Sequence, residues 1–185
     1  TGAGSQWINT GIAVTSIRVG DVEGPGGVTL SVAVAIGSDG LLHAWTLDAG
    51  SNTATAIPAV QMAARDFVLG AALLAFRVSE AAQGQGPLNG DGDTNDDVLY
   101  VYDFVTGSLF PSRPAAVTPC RLQACDPRQP YRVTRDVAKF LTYEPDEGAD
   151  LNNDGDVADL VIQTLNVRSA GTIVTVGTVT DAANG

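Results

Sequence analysis

Short apolar runs that close in small-residue turns recur along this chain, in register with one another. Leu41-Leu-His-Ala-Trp-Thr-Leu-Asp-Ala-Gly50, Val98-Leu-Tyr-Val-Tyr-Asp-Phe-Val-Thr-Gly107 and Val161-Ile-Gln-Thr-Leu-Asn-Val-Arg-Ser-Ala-Gly171 each read as a strand followed by a hairpin turn. The first two copies lie 57 residues apart and the last two 63. A period of about 60 residues marks a repeat architecture. Each repeat parses into four strands. The first unit offers Thr15–Val19, Thr29–Ile36, Leu41–Leu47 and Thr53–Ile57. The second offers Asp66–Leu69, Ala72–Ser79, Asp97–Val105 and Ser108–Ser112. The third offers Tyr131–Thr134, Val137–Tyr143, Leu160–Val167 and Thr172–Thr178.

Four strands per repeat at this length predict an all-β fold, a partial β-propeller of about three four-stranded blades over 11–62, 63–118 and 128–180. A β-sandwich cut from the same strands is the alternative. Ala and Leu within Ala59–Phe76 would also permit a helix, but Gly70 in its middle and the match to Val133–Tyr143 favour a hairpin. Propellers typically close with about four to eight blades. Three would leave an apolar sheet face open at each end, to be covered by further blades, by self-association or by another extracellular protein.

Between the second and third strands of two units the same oxygen-rich loop appears twice, Leu88-Asn-Gly-Asp-Gly-Asp-Thr-Asn-Asp96 and Leu151-Asn-Asn-Asp-Gly-Asp-Val-Ala-Asp159, at the constant offset of 63. Asn, Asp and Asp alternate, a Gly sits inside the run, and a further Asp follows three residues on. A tightly curled loop turns alternate side chains toward its centre, and calcium takes about six to eight oxygen ligands in such a turn. Asp, Asn and Gly also favour turns on their own account, but the pairing at matching repeat positions points to two calcium sites. The first unit has only Gly37-Ser-Asp-Gly40 there.

Glu80…Leu88-Asn-Gly-Asp-Gly-Asp-x-x-Asp-Asp-Val-Leu and Cys120-Arg-Leu-x-Ala-Cys-Asp-Pro-Arg-x-Pro-Tyr-Arg-Val133 resemble repeats of large, secreted, mostly uncharacterised bacterial proteins. The loop is also similar to calcium loops of dockerins, thrombospondin-type repeats and integrin propellers. The resemblance covers roughly residues 64 to 180 and implies calcium, an extracellular β fold and no catalysis. Carried over by position, Asp150, Asn152 and Asp154 match the first, third and fifth ligand positions, Gly155 the turn, and Asp156 and Asp159 complete the site. In the second unit Asn89, Asp91, Asp93 and Asp96 correspond, but Pro87 stands where Asp150 does, so this loop should bind more weakly. Glu80 and Glu144, placed alike before each loop, are candidates for an extra ligand. Val98 and Val161 replace the bidentate Glu of an EF-hand, which argues against a switching helix pair.

Composition narrows the partners. A net charge of −11 argues against nucleic acid, since little here could neutralise phosphates. Eight of the 21 acidic residues lie in or beside the two loops, so bound cations would cancel much of the excess. No apolar run reaches the length of a membrane span. The chain starts at Thr1 without Met and reads as a processed form or a fragment. Cys120 and Cys125, between Pro119 and Pro127, are spaced for a small-ring disulfide in an oxidising setting, with two free thiols as the alternative.

Other chemistry is sparse. His43, the one histidine, lies in an alternating strand and reads as a strand residue rather than a general base. No nucleophile elbow, His-Glu-x-x-His or phosphate loop is present. Trp7, Trp45, Tyr100, Tyr102, Tyr131 and Tyr143 read as core, with a sugar-stacking platform as the other possibility. The expectation is a secreted or cell-surface, calcium-stabilised module with a structural or protein-interaction role and no catalysis. A carbohydrate-binding or adhesive module, or a fragment of a larger extracellular enzyme, is the alternative.

Overall fold

A computed structural model of the chain describes residues 9–110, 131–169 and 171–178. Among these residues twelve strands form three four-stranded antiparallel sheets, each a meander in chain order. The first sheet contains β1 (Val14–Glu23), β2 (Thr29–Gly37), β3 (Leu42–Asp48) and β4 (Thr53–Ala56). The second contains β5 (Ala64–Leu69), β6 (Leu73–Ser79), β7 (Asp97–Asp103) and β8 (Ser108–Phe110). The third contains β9 (Tyr131–Val133), β10 (Val137–Tyr143), β11 (Leu160–Asn166) and β12 (Thr172–Thr178). A single helical turn follows the second strand of each of the last two sheets, α1 (Glu80–Gln83) and α2 (Glu144–Glu147).

The alternation read from the sequence sorts side chains onto two faces of each sheet. Val32, Val34, Leu42 and Ala44 of the first sheet meet Leu74, Phe76, Val98 and Tyr100 of the second. The opposite face of the second sheet, Leu73, Ala75, Leu99 and Val101, meets Ala138, Phe140 and Leu165 of the third. The central strands of the second sheet are thus buried on both faces, which explains why β6 and β7 are nearly continuous apolar runs. Complete burial of Phe76 alone contributes about 1.5–3 kcal/mol. Polar links supplement this packing between the second and third sheets. The buried Tyr131 hydroxyl donates to Asp66 at 2.9 Å, and Asp66 also pairs with Arg77. Arg168 reaches back to Asp103.

The helical alternative for Ala59–Phe76 does not occur. Pro58–Val60 forms one 3-10 turn, and β5 and β6 then make a hairpin that reverses around Gly70. A Cβ on Gly70 would stand 2.6 Å from Val133 Cγ2, so glycine permits this close approach of the two sheets. Both terminal faces carry exposed apolar side chains: on the first sheet Ile17 (49%) and Val19 (66%) stand beside Ala35 and Ala33. On the first sheet, Ala33, Ala35 and Trp45 are covered in part by Ile12 from the preceding segment. On the third, Leu141, Ile162 and Val174 share an outer face where Ile162 is 39% and Val174 53% exposed.

The expected disulfide needs correction: the described fold contains no Cys–Cys bond. Cys120 and Cys125 lie outside the described residues. The three sheets are held by strand ladders and two apolar clusters, so the architecture has no cross-link among the described residues and needs none to be explained.

Candidate metal centre

Each acidic loop hangs between the second and third strands of its sheet, pinned by a buried glutamate. β6 runs into α1 and β10 into α2, and each turn begins with that glutamate, Glu80 or Glu144. Both turns stop at a glycine in the left-handed region, Gly84 (φ 67°) and Gly148 (φ 62°). Neither glutamate is exposed to solvent. Glu144 Oε1 accepts the backbone N–H groups of Leu151 (2.7 Å) and Asn152 (3.3 Å), while Oε2 accepts that of Asp159 (3.1 Å). Glu80 makes the same three contacts, with Leu88, Asn89 (3.2 Å) and Asp96 (3.4 Å). A buried carboxylate is tolerated where it is fully hydrogen-bonded. One side chain therefore fixes both ends of each loop.

Within the loops the backbone curls through a chain of side-chain-to-backbone turns. Asn89, Asp91 and Asp93 each accept the N–H two residues on, at 3.2, 3.0 and 2.8 Å. Asn152, Asp154 and Asp156 repeat this at 3.0, 3.2 and 2.9 Å. Gly92 and Gly155 occupy the same left-handed position, φ 105° and 103°. Gly90 matches Asn153, which adopts φ 62°, a conformation Asn accepts more readily than most residues.

Two groups of carboxylates that could hold a divalent cation result. Glu80, Asp93 and Asp96 each bring a carboxylate oxygen within 4.8 Å of the others, and Glu144, Asp156 and Asp159 do the same. The Asn side chains border these groups: Asn89 donates to Asp96 Oδ2 at 3.1 Å and Asn152 to Asp159 Oδ2 at 2.7 Å. Asp91 and Asp154 stand in the same loops, but neither joins the three carboxylates. Asp150 is turned onto its own loop, accepting Asn153 N–H at 2.6 Å and Gly155 N–H at 3.0 Å.

The electrostatics are those of crowded acids. Burial, then Asp146, Asp91, Asp93 and Glu80, push the Asp96 carboxyl up to about 7. Hydrogen bonding with Asp154 raises Asp159, while Asp154 is lowered, chiefly by the Asp156 backbone N–H. A hard cation with oxygen ligands is the chemistry that relieves such a cluster.

Asp146 is the neighbour that sequence reading missed. It belongs to α2 of the third unit, yet its backbone carbonyl accepts the Asn89 amide of the second unit at 2.9 Å. No spacing rule connects residues 57 apart in different repeats; only sheet packing brings them together. Elsewhere His43 is a buried β3 residue, stacked on Trp45 and 3.0 Å from Asp39. Trp45, Tyr100, Tyr102 and Tyr131 are buried, and Tyr143 is 39% exposed; Trp7 lies outside the described residues. Among the described residues no helix is long and apolar enough to cross a membrane.

Comparison with protein-family models, with curated proteins and with solved structures gives no match to the chain.

Proposed function

We propose that this chain is a secreted, calcium-stabilised β-repeat module of structural or protein-interaction character, without catalysis, whose three sheets are blades of a partial propeller. One observation carries the reading: two loops in different repeats place a buried glutamate and two aspartates in the same three-oxygen arrangement. Chance acidic turns would not reproduce the same anchoring contacts to the same three backbone positions. The likeness of these loops to calcium loops of extracellular proteins supports both the ion and the setting. Calcium clips each long inter-strand loop by joining its carboxylates, with ligands at about 2.3–2.6 Å. The meander order and the face-to-face stacking support the blade reading, and the open third-sheet face is where a further blade or partner packs.

The test is elemental analysis of protein purified without chelator, together with melting in calcium and in chelator. Close to two calcium ions per chain and a lower melting temperature in chelator are expected. No bound calcium and an unchanged melt would overturn the reading.

A further inference from the structure

We propose that two copies of this chain pack head to tail, the third-sheet face of each against the first-sheet face of the other, closing a ring of six sheets, three from each copy. This deepens the blade reading, on which it rests. The fan of the sheets motivates closure. The first and third sheets lie on opposite faces of the second, yet Arg135, in the turn after β9, donates to Glu23 at the end of β1 at 2.6 Å. Residues of β1, β5 and β9, the first strand of each sheet, also line one groove. The first strands therefore gather about a common axis, from which the later strands spread. Closed propellers typically have about four to eight blades, so two copies of three sheets reach that range and one copy does not.

The exposed positions are those that the internal interfaces fill. On the strand that opens each later sheet, alternate residues face the preceding sheet: Phe67 and Leu69 on β5, Tyr131 and Val133 on β9. Ile17 and Val19 hold the same places on β1, opposite Ala35 and Ala33, and among the described residues no sheet precedes them. Ile12 belongs to the same surface. It precedes β1 by two residues as Met62 precedes β5, and Met62 packs inside the interface between the first two sheets. At the other end, Ile162 and Val174 take the places of Leu99 and Phe110, which meet the third sheet. The stacking step that joins first sheet to second and second to third thus has both of its surfaces free at the two ends, and a second copy supplies each. Charge sets the polarity. Arg132 and Lys139 stand opposite each other on the third-sheet face, both exposed. Asp21, exposed, follows Ile17 and Val19 at the next alternate position of the first-sheet face. Contact between like faces would oppose like charges, whereas head-to-tail contact brings opposite signs together.

The experiment is sedimentation velocity of the full 185-residue chain, with calcium in excess. The parent should sediment as a dimer. Val19→Lys blocks one face and Ile162→Lys the other, so each variant alone should associate at least tenfold more weakly, with unchanged circular dichroism. An equimolar mixture of the two should restore a one-to-one dimer, because each supplies the face that the other has lost. A monomeric parent would overturn the second copy as occupant and leave the faces to a different protein. A dimer that persists in either variant alone, or a mixture that stays monomeric while the parent pairs, would overturn the head-to-tail contact. Parent assemblies that grow beyond two copies would overturn closure of the ring. Calcium content is measured separately: a monomer that binds calcium sinks the pairing alone, and a dimer without calcium sinks the metal reading alone.

Discussion

The side-chain amide of Asn89 donates to the backbone carbonyl of Asp146 at 2.9 Å, joining the acidic loop of the second repeat to the helical turn of the third. The two repeats are thus coupled at the candidate metal centre as well as through their apolar faces. Asp146 also stands among the charges that raise Asp96.

That coupling gives a pH dependence. The folded Asp96 carboxyl sits at about 7, above its unfolded value of about 3.9. A raised carboxylate binds its proton more tightly in the folded state, so ionising it costs stability. In chelator, this contribution is fully present below about pH 4 and is lost as pH rises toward 7. Asp146→Asn removes one of the charges raising Asp96 and should flatten that slope between pH 5 and 7, about the window set by those two values. Chemical denaturation across that range provides the check, and an unchanged slope would refute the coupling.

The buried glutamates should matter with and without metal. Glu144→Gln retains the shape but places an amide N–H₂ against backbone N–H donors from Asn152 or Asp159. The cost should be about 1–3 kcal/mol even in chelator, because a buried donor is left without an acceptor. A variant that is destabilised only in the presence of calcium would make Glu144 purely a ligand and not a loop anchor.

Loss of calcium should be felt unequally. Asp159→Asn and Asp96→Asn each remove one of three clustered carboxylates, but Asp150 also ties down the third-unit loop through the Asn153 and Gly155 N–H groups, contacts that Pro87 cannot make in the second. A cation that binds only the folded state raises the melting temperature. The Asp159 variant should forfeit more of that increase than the Asp96 variant. Thermal melts at several calcium concentrations decide it, and equal losses would argue that the two sites are equivalent.

Arg168 and Asp103 tie the third sheet to the second. Asp103 is fully buried, also accepting Val105 N–H at 2.9 Å and the Thr106 hydroxyl at 2.9 Å. Arg168→Ala strands that carboxylate. The penalty should be roughly 2 kcal/mol, below the roughly 3–5 kcal/mol of a wholly buried pair because Arg168 is partly exposed. A change under about 0.5 kcal/mol in urea denaturation, the range typical of a plain surface substitution, would contradict this.

The open face of the third sheet should make the isolated chain self-associate. Ile162→Lys and Val174→Lys put charges on that apolar face without touching the cluster behind it. Light scattering should show association in the parent chain and less of it in the variants. A dispersed parent monomer would mean that the exposed side chains do not drive contact.

Strand positions were legible in the sequence because side-chain alternation and turn chemistry are local. All twelve expected strands appear, with ends shifted by a few residues, most at β1, which runs on to Glu23. The loops were legible because their ligand spacing lies within ten residues and repeats. Glu80 and Glu144 could be singled out by their matching places, but not their job. Whether a carboxylate faces solvent, a cation or three backbone N–H groups depends on burial, which the neighbouring strands impose. Likewise three units of four strands and two acidic loops could be read from local pattern alone. Tertiary packing alone brings Asp146 to Asn89, lays Ile12 over part of the first sheet's outer face, and leaves apolar side chains exposed on both terminal faces. Contacts between sheets join residues tens of positions apart, and no local pattern encodes which faces meet.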